Sequence, residues 1–247
     1  MFESYETKKI VQAHEVDFIN NLRLDSLFIL LQDAAASHAD LLNLGYKVLT
    51  ELNFAWVLSW AKLEIAAFPK FGEEISIKTW PKKKYKLFSL RDFFIFNNSG
   101  KIINRASTAW LPINMKSKRI IDTSNLPAPI HYLENESAID DLPGKISESN
   151  NKEFILTRKM RYTDIDLNQH VNNIKYIEMI MDSYAKEQYE TSLLKSIAVN
   201  FVAESKYDDE VEVYRSGGAD ERSNIIGGFN KNTSRIIFQA NLKWEPR

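Results

Sequence analysis

Asp164-Ile165-Asp166-Leu167-Asn168-Gln169-His170-Val171-Asn172-Asn173 runs directly into Ile174-Lys175-Tyr176-Ile177-Glu178-Met179-Ile180-Met181 and on to Gln188. The second part has apolar residues at Ile174, Ile177, Met181 and Tyr184, with Tyr176, Ile180 and Ala185 beside them. Spacings of three and four residues put these on one face, which predicts a helix over 174–188. Asn172 or Asn173 suits its N-cap, because a short side-chain oxygen there accepts a first-turn N–H. Carboxylates, carboxamides and a histidine are therefore gathered at a helix N-terminus. Unpaired N–H groups and the helix dipole favour negative charge at that point, including charge that builds on a carbonyl oxygen under attack. An acidic turn before a helix is often only a cap, so the chemical reading rests on the whole set occurring together.

The stretch has a degenerate copy upstream. Glu15-Val16-Asp17 through Asp33 aligns without a gap on Asp164-Ile165-Asp166 through Asp182, at a constant spacing of 149 residues. Farther on, Phe71 to Ile75 pairs with Tyr207 to Val211 at a spacing of 136, and Ala106 with Trp110 pairs with Ala240 with Trp244 at 134. Such self-similarity indicates two copies of one supersecondary unit, the second having lost loop residues. Where the second copy has Asn168 and His170, the first has Ile19 and Asn21. One active site per chain follows, with the first copy free to specialise in holding substrate.

The motif resembles the hallmark of the acyl-acyl carrier protein (acyl-ACP) thioesterases, D-x-D-x-N-Q-H-V-N-N followed by Y-I. It is matched by Asp164, Asp166, Asn168, Gln169, His170, Val171, Asn172, Asn173, Tyr176 and Ile177. The likeness extends to Gln32–Asp40, Trp56–Glu64, Pro69–Trp80 and Arg105–Asn114. It implies an α+β chain of two tandem hotdog domains, each a long helix wrapped by an antiparallel sheet. It also implies hydrolysis of fatty acyl-ACP, with acyl carrier protein as partner and no cofactor or metal. His170 is then the proton-exchanging group, Asp166 activates or orients the nucleophile, and Asn168 holds the water or the thioester carbonyl. The family's downstream Glu-Cys pair falls on Glu204 and Ser205, so the glutamate is present and the cysteine is not. With no cysteine in the chain, water is the favoured nucleophile and Glu204 its general base or partner. In a regular strand Ser205 would share a face with Ile197, Val199, Phe201 and Ala203, leaving Glu204 on the other side with Asn200. Glu204 reaches the site only if a bulge resets that alternation.

Composition is consistent with this reading. The 247 residues suffice for two domains with their own cores. With 44% hydrophobic and 26% charged residues, the chain has the make-up of an ordinary globular protein. A balance of 32 basic against 33 acidic residues argues against coating nucleic acid. No apolar run reaches the roughly 20 residues a membrane helix needs, and the N-terminal segment has no signal-peptide core; a cytoplasmic protein, monomeric or homodimeric, is expected.

The coarse pattern predicts a strand near 5–16, a helix over 25–44 ended by Gly45, and strands over 55–66, 74–80, 87–97 and 102–114. Asn98-Ser99-Gly100 predicts a hairpin turn. Residues 122–151, with Pro127, Pro129, Pro143 and Gly144, read as a linker between domains 1–121 and 152–247. The second series is expected to break at Gly217-Gly218 and Gly227-Gly228. Asn53, Phe54 and Trp56 are candidates to line an acyl tunnel. The other tryptophans, with His14, His38 and His131, read as structural. Lys82, Lys83, Lys84 and Lys86, extended by Lys116, Lys118 and Arg119, form a candidate docking patch for an acidic carrier, against the plain reading of a solvated loop. An acyl-CoA thioesterase, a hydroxyacyl dehydratase and a non-catalytic acyl-binding module remain alternatives at this level.

Overall fold

Of the face that the sequence pattern draws on the first helix, Leu27, Leu30, Leu31, Ala34 and His38 are buried on helix α1 (Leu24–Leu41), whereas Leu41 is exposed at its end and Leu42 is half-buried beyond it. Fully burying a leucine or phenylalanine contributes about 1.5–3 kcal/mol, so this stripe fixes the helix to its sheet. The computed structural model describes residues 3–147, 151–217 and 222–247. The chain divides into two compact units, Met1–Pro143 and Gly144–Arg247. In the first, β1 (Tyr5–Ile10) precedes α1; α2 (Tyr46–Glu51), β2 (Phe54–Ile65), β3 (Glu74–Tyr85), β4 (Phe88–Asn97) and β5 (Ile102–Asn114) follow. The strands pair antiparallel in the order β1-β3-β4-β5-β2.

The second unit repeats this with β6 (Glu153–Lys159), α3 (Asn173–Met181), α4 (Lys186–Thr191), β7 (Ser192–Phe201), β8 (Glu210–Gly217), β9 (Ser223–Asn230) and β10 (Ile236–Pro246). Its strand order, β6-β8-β9-β10-β7, matches the first position by position. Each unit is a helix laid on an antiparallel sheet, the hotdog arrangement. The hairpin turn closes as expected, with Asn97 N donating to Lys101 O at 3.0 Å and Gly100 at φ 77°.

Several boundaries differ from the sequence reading. Helix α1 stops at Leu41, and Asn43 (φ 56°) takes the left-handed position expected of Gly45. Gly45 has an ordinary φ of −80°. It is required for another reason, since a Cβ there would lie 1.7 Å from Asp40 Oδ1. Helix α3 ends at Met181, where the Ser183 hydroxyl donates to Met179 O (2.9 Å) and the chain tightens into turns before α4. The lysine run is strand: Lys82 to Lys84 lie inside β3.

Gly227-Gly228 is no break either, but the middle of β9; Gly218 lies outside the described residues. A Cβ on Gly228 would sit 2.1 Å from Cε1 of Phe238, a fully buried ring. Gly228→Ala is expected to destabilise the protein by about 1–3 kcal/mol through overpacking. Chemical denaturation with an unchanged slope would register it; a wild-type midpoint would contradict it.

Residues 122–143, expected as linker, lie within the first unit. They cross the sheet face on which Trp80, Lys82 and Asp92 stand. Leu133 N donates to Pro81 O (2.9 Å), Trp80 Nε1 to Glu136 O (3.1 Å), and Ala138 N to Asp92 Oδ2 (2.7 Å). Lys78, Lys84 and Lys62 pair with Glu136, Asp122 and Asp141. Proline and acidic composition made the segment look detached, whereas its partners are lysines far away in sequence.

Candidate active site

The duplicated turns are built by the same hydrogen bonds. Asp166 Oδ1 accepts from the amides of Asn168 (2.8 Å) and His170 (3.2 Å), and Asp166 N donates to His170 O (2.8 Å). In the first unit Asp17 Oδ1 accepts from Ile19 N (3.0 Å) and Asn21 N (2.8 Å), and Asp17 N donates to Asn21 O (2.8 Å). Gln169 (φ 63°) and Asn20 (φ 62°) supply the left-handed residue at the same place in each turn. Asp164 is almost fully buried, accepts from Arg161 N (2.8 Å) and pairs with Arg158 (2.7 Å). Arg158 also reaches Glu178 (3.0 Å). Lys9 and Glu15 repeat the first of these pairs at 3.7 Å. The sequence reading missed Arg158, although the constant spacing that aligns Glu15 with Asp164 also aligns Lys9 with Arg158.

Asn172 is the N-cap of α3. Its Oδ1 accepts from Ile174 N (3.0 Å) and its carbonyl from Lys175 N (2.9 Å). These bonds consume two of the first-turn donors that the sequence reading had offered to an oxyanion.

Glu204 reaches His170. Strand β7 ends at Phe201, and the next two amides, Val202 N (2.8 Å) and Ala203 N (3.2 Å), both donate to Ile237 O. Two consecutive N–H groups on one carbonyl mark a bulge, the reset that strand alternation required. Val171 N then donates to Ser205 O (2.9 Å), tying the segment to the turn. Glu204 Oε2 lies 3.0 Å from His170 Nε2, with side chains 46% and 16% exposed, so a substrate group can approach the pair. Asp166, by contrast, has one carboxylate oxygen engaged by the amides of the turn, and it is Glu204 that pairs with the imidazole. Asn168 is half-buried in the same turn. Ser205 is fully buried; its Oγ makes no well-formed hydrogen bond and has the Tyr176 phenol as its polar neighbour.

An imidazole that donates Nε2–H to a carboxylate has its other nitrogen basic and available. Such a pair can take a proton from water and return it to a leaving group. Among the described residues no group of three or more His, Asp or Glu is placed to hold a metal ion, and no helix is long and apolar enough to cross a membrane.

The other candidates lie in the first unit. Asn53 (φ 56°) is a turn residue whose carbonyl accepts from Met115 N (2.8 Å). Phe54 and Trp56, both partly buried, pack on Leu44, Leu49 and Leu126, and the Trp56 indole donates to Leu44 O (3.1 Å). Lys82 is 3% exposed and pairs with Asp92 at 3.2 Å, which withdraws it from any docking patch. Lys84 is engaged by Asp122 at 2.7 Å. Lys83 is half-buried and Lys86 exposed.

Two family models match, the acyl-ACP thioesterase N-terminal domain over residues 3–125 and the C-terminal domain over 147–246. A palmitoyl-acyl carrier protein thioesterase of Cuphea hookeriana is 28% identical over 82% of this chain and 52% of its own length. An oleoyl-acyl carrier protein thioesterase of Arabidopsis thaliana is 26% identical over 85% of this chain and 62% of its own. The chain thus spans about half to three-fifths of the curated relatives it matches. An acyl-ACP thioesterase structure from Bacteroides thetaiotaomicron is 28% identical, with TM-score 0.90 over 98% of both chains. The 12:0-ACP thioesterase from Umbellularia californica, 16% identical, shares the fold with TM-score 0.79 over 100% of this chain and 99% of its own. With both family models matched across nearly the whole chain, and His170 on the turn that carries the motif paired with Glu204 from the segment after β7, the chain belongs to the acyl-ACP thioesterase family.

Proposed function

We propose that the chain hydrolyses the thioester of a fatty acyl group carried on acyl carrier protein, releasing free fatty acid and the carrier thiol. The observation that supports this most is the 3.0 Å His170–Glu204 pair. It occurs only in the second copy, on a turn that the first copy builds identically without it. In this reading the second unit is catalytic and the first holds the acyl chain. Glu204 orients His170, and the imidazole takes a proton from water as the water oxygen attacks the thioester carbon. Asn168 holds the water or the carbonyl oxygen. Asp166 acts through the turn that presents them, since Asp17 does the same work where no chemistry is present. The tetrahedral intermediate collapses by breaking the C–S bond, and the imidazolium returns its proton to the sulfur. Lys83 and Lys86, with the exposed Lys116, Lys118 and Arg119, are what remains of the carrier-docking patch.

The test is free fatty acid release from acyl-ACPs of graded chain length, with matched acyl-CoAs beside them. Faster turnover on ACP is the expected result. Equal or faster turnover on CoA would reassign the carrier, and binding without release would make the chain an acyl-binding module. Ser205→Ala belongs in the same assay. With its oxygen buried and no base beside it, Ser205 is not the nucleophile, so the variant is expected to retain turnover within about tenfold of wild type, against the far larger loss that removal of a covalent nucleophile causes.

A further inference from the structure

The Glu204–His170 contact depends on a segment with no regular structure. Beyond Phe201 the chain leaves β7, and Glu204 itself is half-exposed. Its direction is set by its neighbour. Ser205 O accepts from Val171 N at 2.9 Å, and Ser205 N donates to the phenol oxygen of Tyr176 at 3.2 Å. Tyr176 is 1% exposed on α3, its ring stacked on Phe238 at 5.3 Å and near Phe201 at 6.5 Å. Burial holds the phenol above its ordinary pKa, while the Ser205 hydroxyl and amide pull the other way, so the oxygen remains protonated at neutral pH.

The first unit supplies an internal control. There Leu22 N donates to Pro69 O at 2.7 Å, the counterpart of the Val171–Ser205 bond. The counterpart of Tyr176 is Leu27, which has no hydroxyl, and that of Ser205 is Pro69, which has no N–H. Both halves of the phenol-to-amide bond are missing together, in the copy where Phe68 stands for Glu204 and Asn21 for His170. The fold is complete without that bond. It is present in the copy that holds the His170–Glu204 pair and absent from the other.

We infer that Tyr176 is a positioning residue, its phenol oxygen fixing the Ser205 amide and thereby aiming the Glu204 carboxylate at His170. The inference deepens the hydrolase reading above and rests on it. Tyr176→Phe keeps the ring and its stacking and removes only the hydroxyl, and with it the acceptor of the Ser205 amide. On acyl-ACP its kcat is expected to fall ~10- to 100-fold, the scale at which a misplaced catalytic group is felt. KM should stay within about twofold, because substrate contacts are untouched. In a Glu204→Gln background the same change should cost nothing further, since its effect passes through the carboxylate. Amide exchange at Ser205, slow in the wild type, should accelerate in Tyr176→Phe with the rest of the unit unaltered. Wild-type kcat in Tyr176→Phe, or a full additional loss in the double variant, would overturn the assignment. If the wild type itself fails to release acid from any thioester, the hydrolase reading fails, and unchanged Ser205 exchange would then overturn the anchor separately.

Discussion

His170→Ala is expected to lower kcat for acyl-ACP hydrolysis by about 10²–10⁴-fold, the usual contribution of a positioned acid–base group. That corresponds to about 3–5 kcal/mol of transition-state stabilisation. The turn should survive, because the bonds that build it run from the residue 170 amide and carbonyl to Asp166, and alanine retains both. Circular dichroism and the unfolding midpoint should therefore stay near wild type while turnover collapses. Glu204 would lose its partner but remain half-exposed and hydrated, so no buried charge is stranded. Turnover within threefold of wild type would remove His170 from the chemistry.

Lys82→Met carries the largest stability effect. Lys82 and Asp92 are 3% and 0% exposed and lie 3.2 Å apart; Lys82 also donates to Ile139 O, and Asp92 accepts from Ala138 N. Removing one partner of a buried pair typically costs about 3–5 kcal/mol, because an uncompensated charge is left inside. Even in the wild type, burial raises the Asp92 pKa against the opposing pull of Ser107, Ala138 and Lys82. An acid whose folded pKa is raised binds its proton more tightly when folded. Its contribution is present below the unfolded value, near about 3.9, and is lost as pH rises through the folded one. The Lys82→Met deficit should thus be widest at neutral pH and shrink as the medium is acidified and Asp92 takes up its proton. Adding Asp92→Asn, which keeps an acceptor for Ala138 N, should recover most of the loss at pH 7. A uniform deficit across pH would refute this account.

What could be read from the chain differs from what could not in a consistent physical way. The motif, the α1 face and the repeat are local or periodic, so helix spacing and constant offsets exposed them. The contact between Glu204 and His170 needed a bulge, and a bulge is created by two amides competing for Ile237 O on a neighbouring strand. Lys82 and Lys84 looked solvated because lysine usually is; their carboxylate partners, Asp92 and Asp122, come together with them only when β3, β4 and the following segment are folded. Glycines at 227 and 228 looked like a turn, though the reason for Gly228 is the ring of Phe238 lying over it. Tyr176 counted as one more apolar helix residue, and only alignment with Leu27 and of Ser205 with Pro69 separates its hydroxyl from its ring.

The two turns around Asp17 and Asp166 bear on how such a chain can change over generations. Both keep the same backbone bonds while carrying different passengers, so selection for folding and selection for chemistry act on separate residues. Ile19, Asn21, Leu27, Phe68 and Pro69 mark places where the first copy differs from the second in side chain alone. The frame is the same in both. A duplicated scaffold of this kind can retire a reaction, or be searched for a new one, by exchanging a few side chains on an architecture already secured.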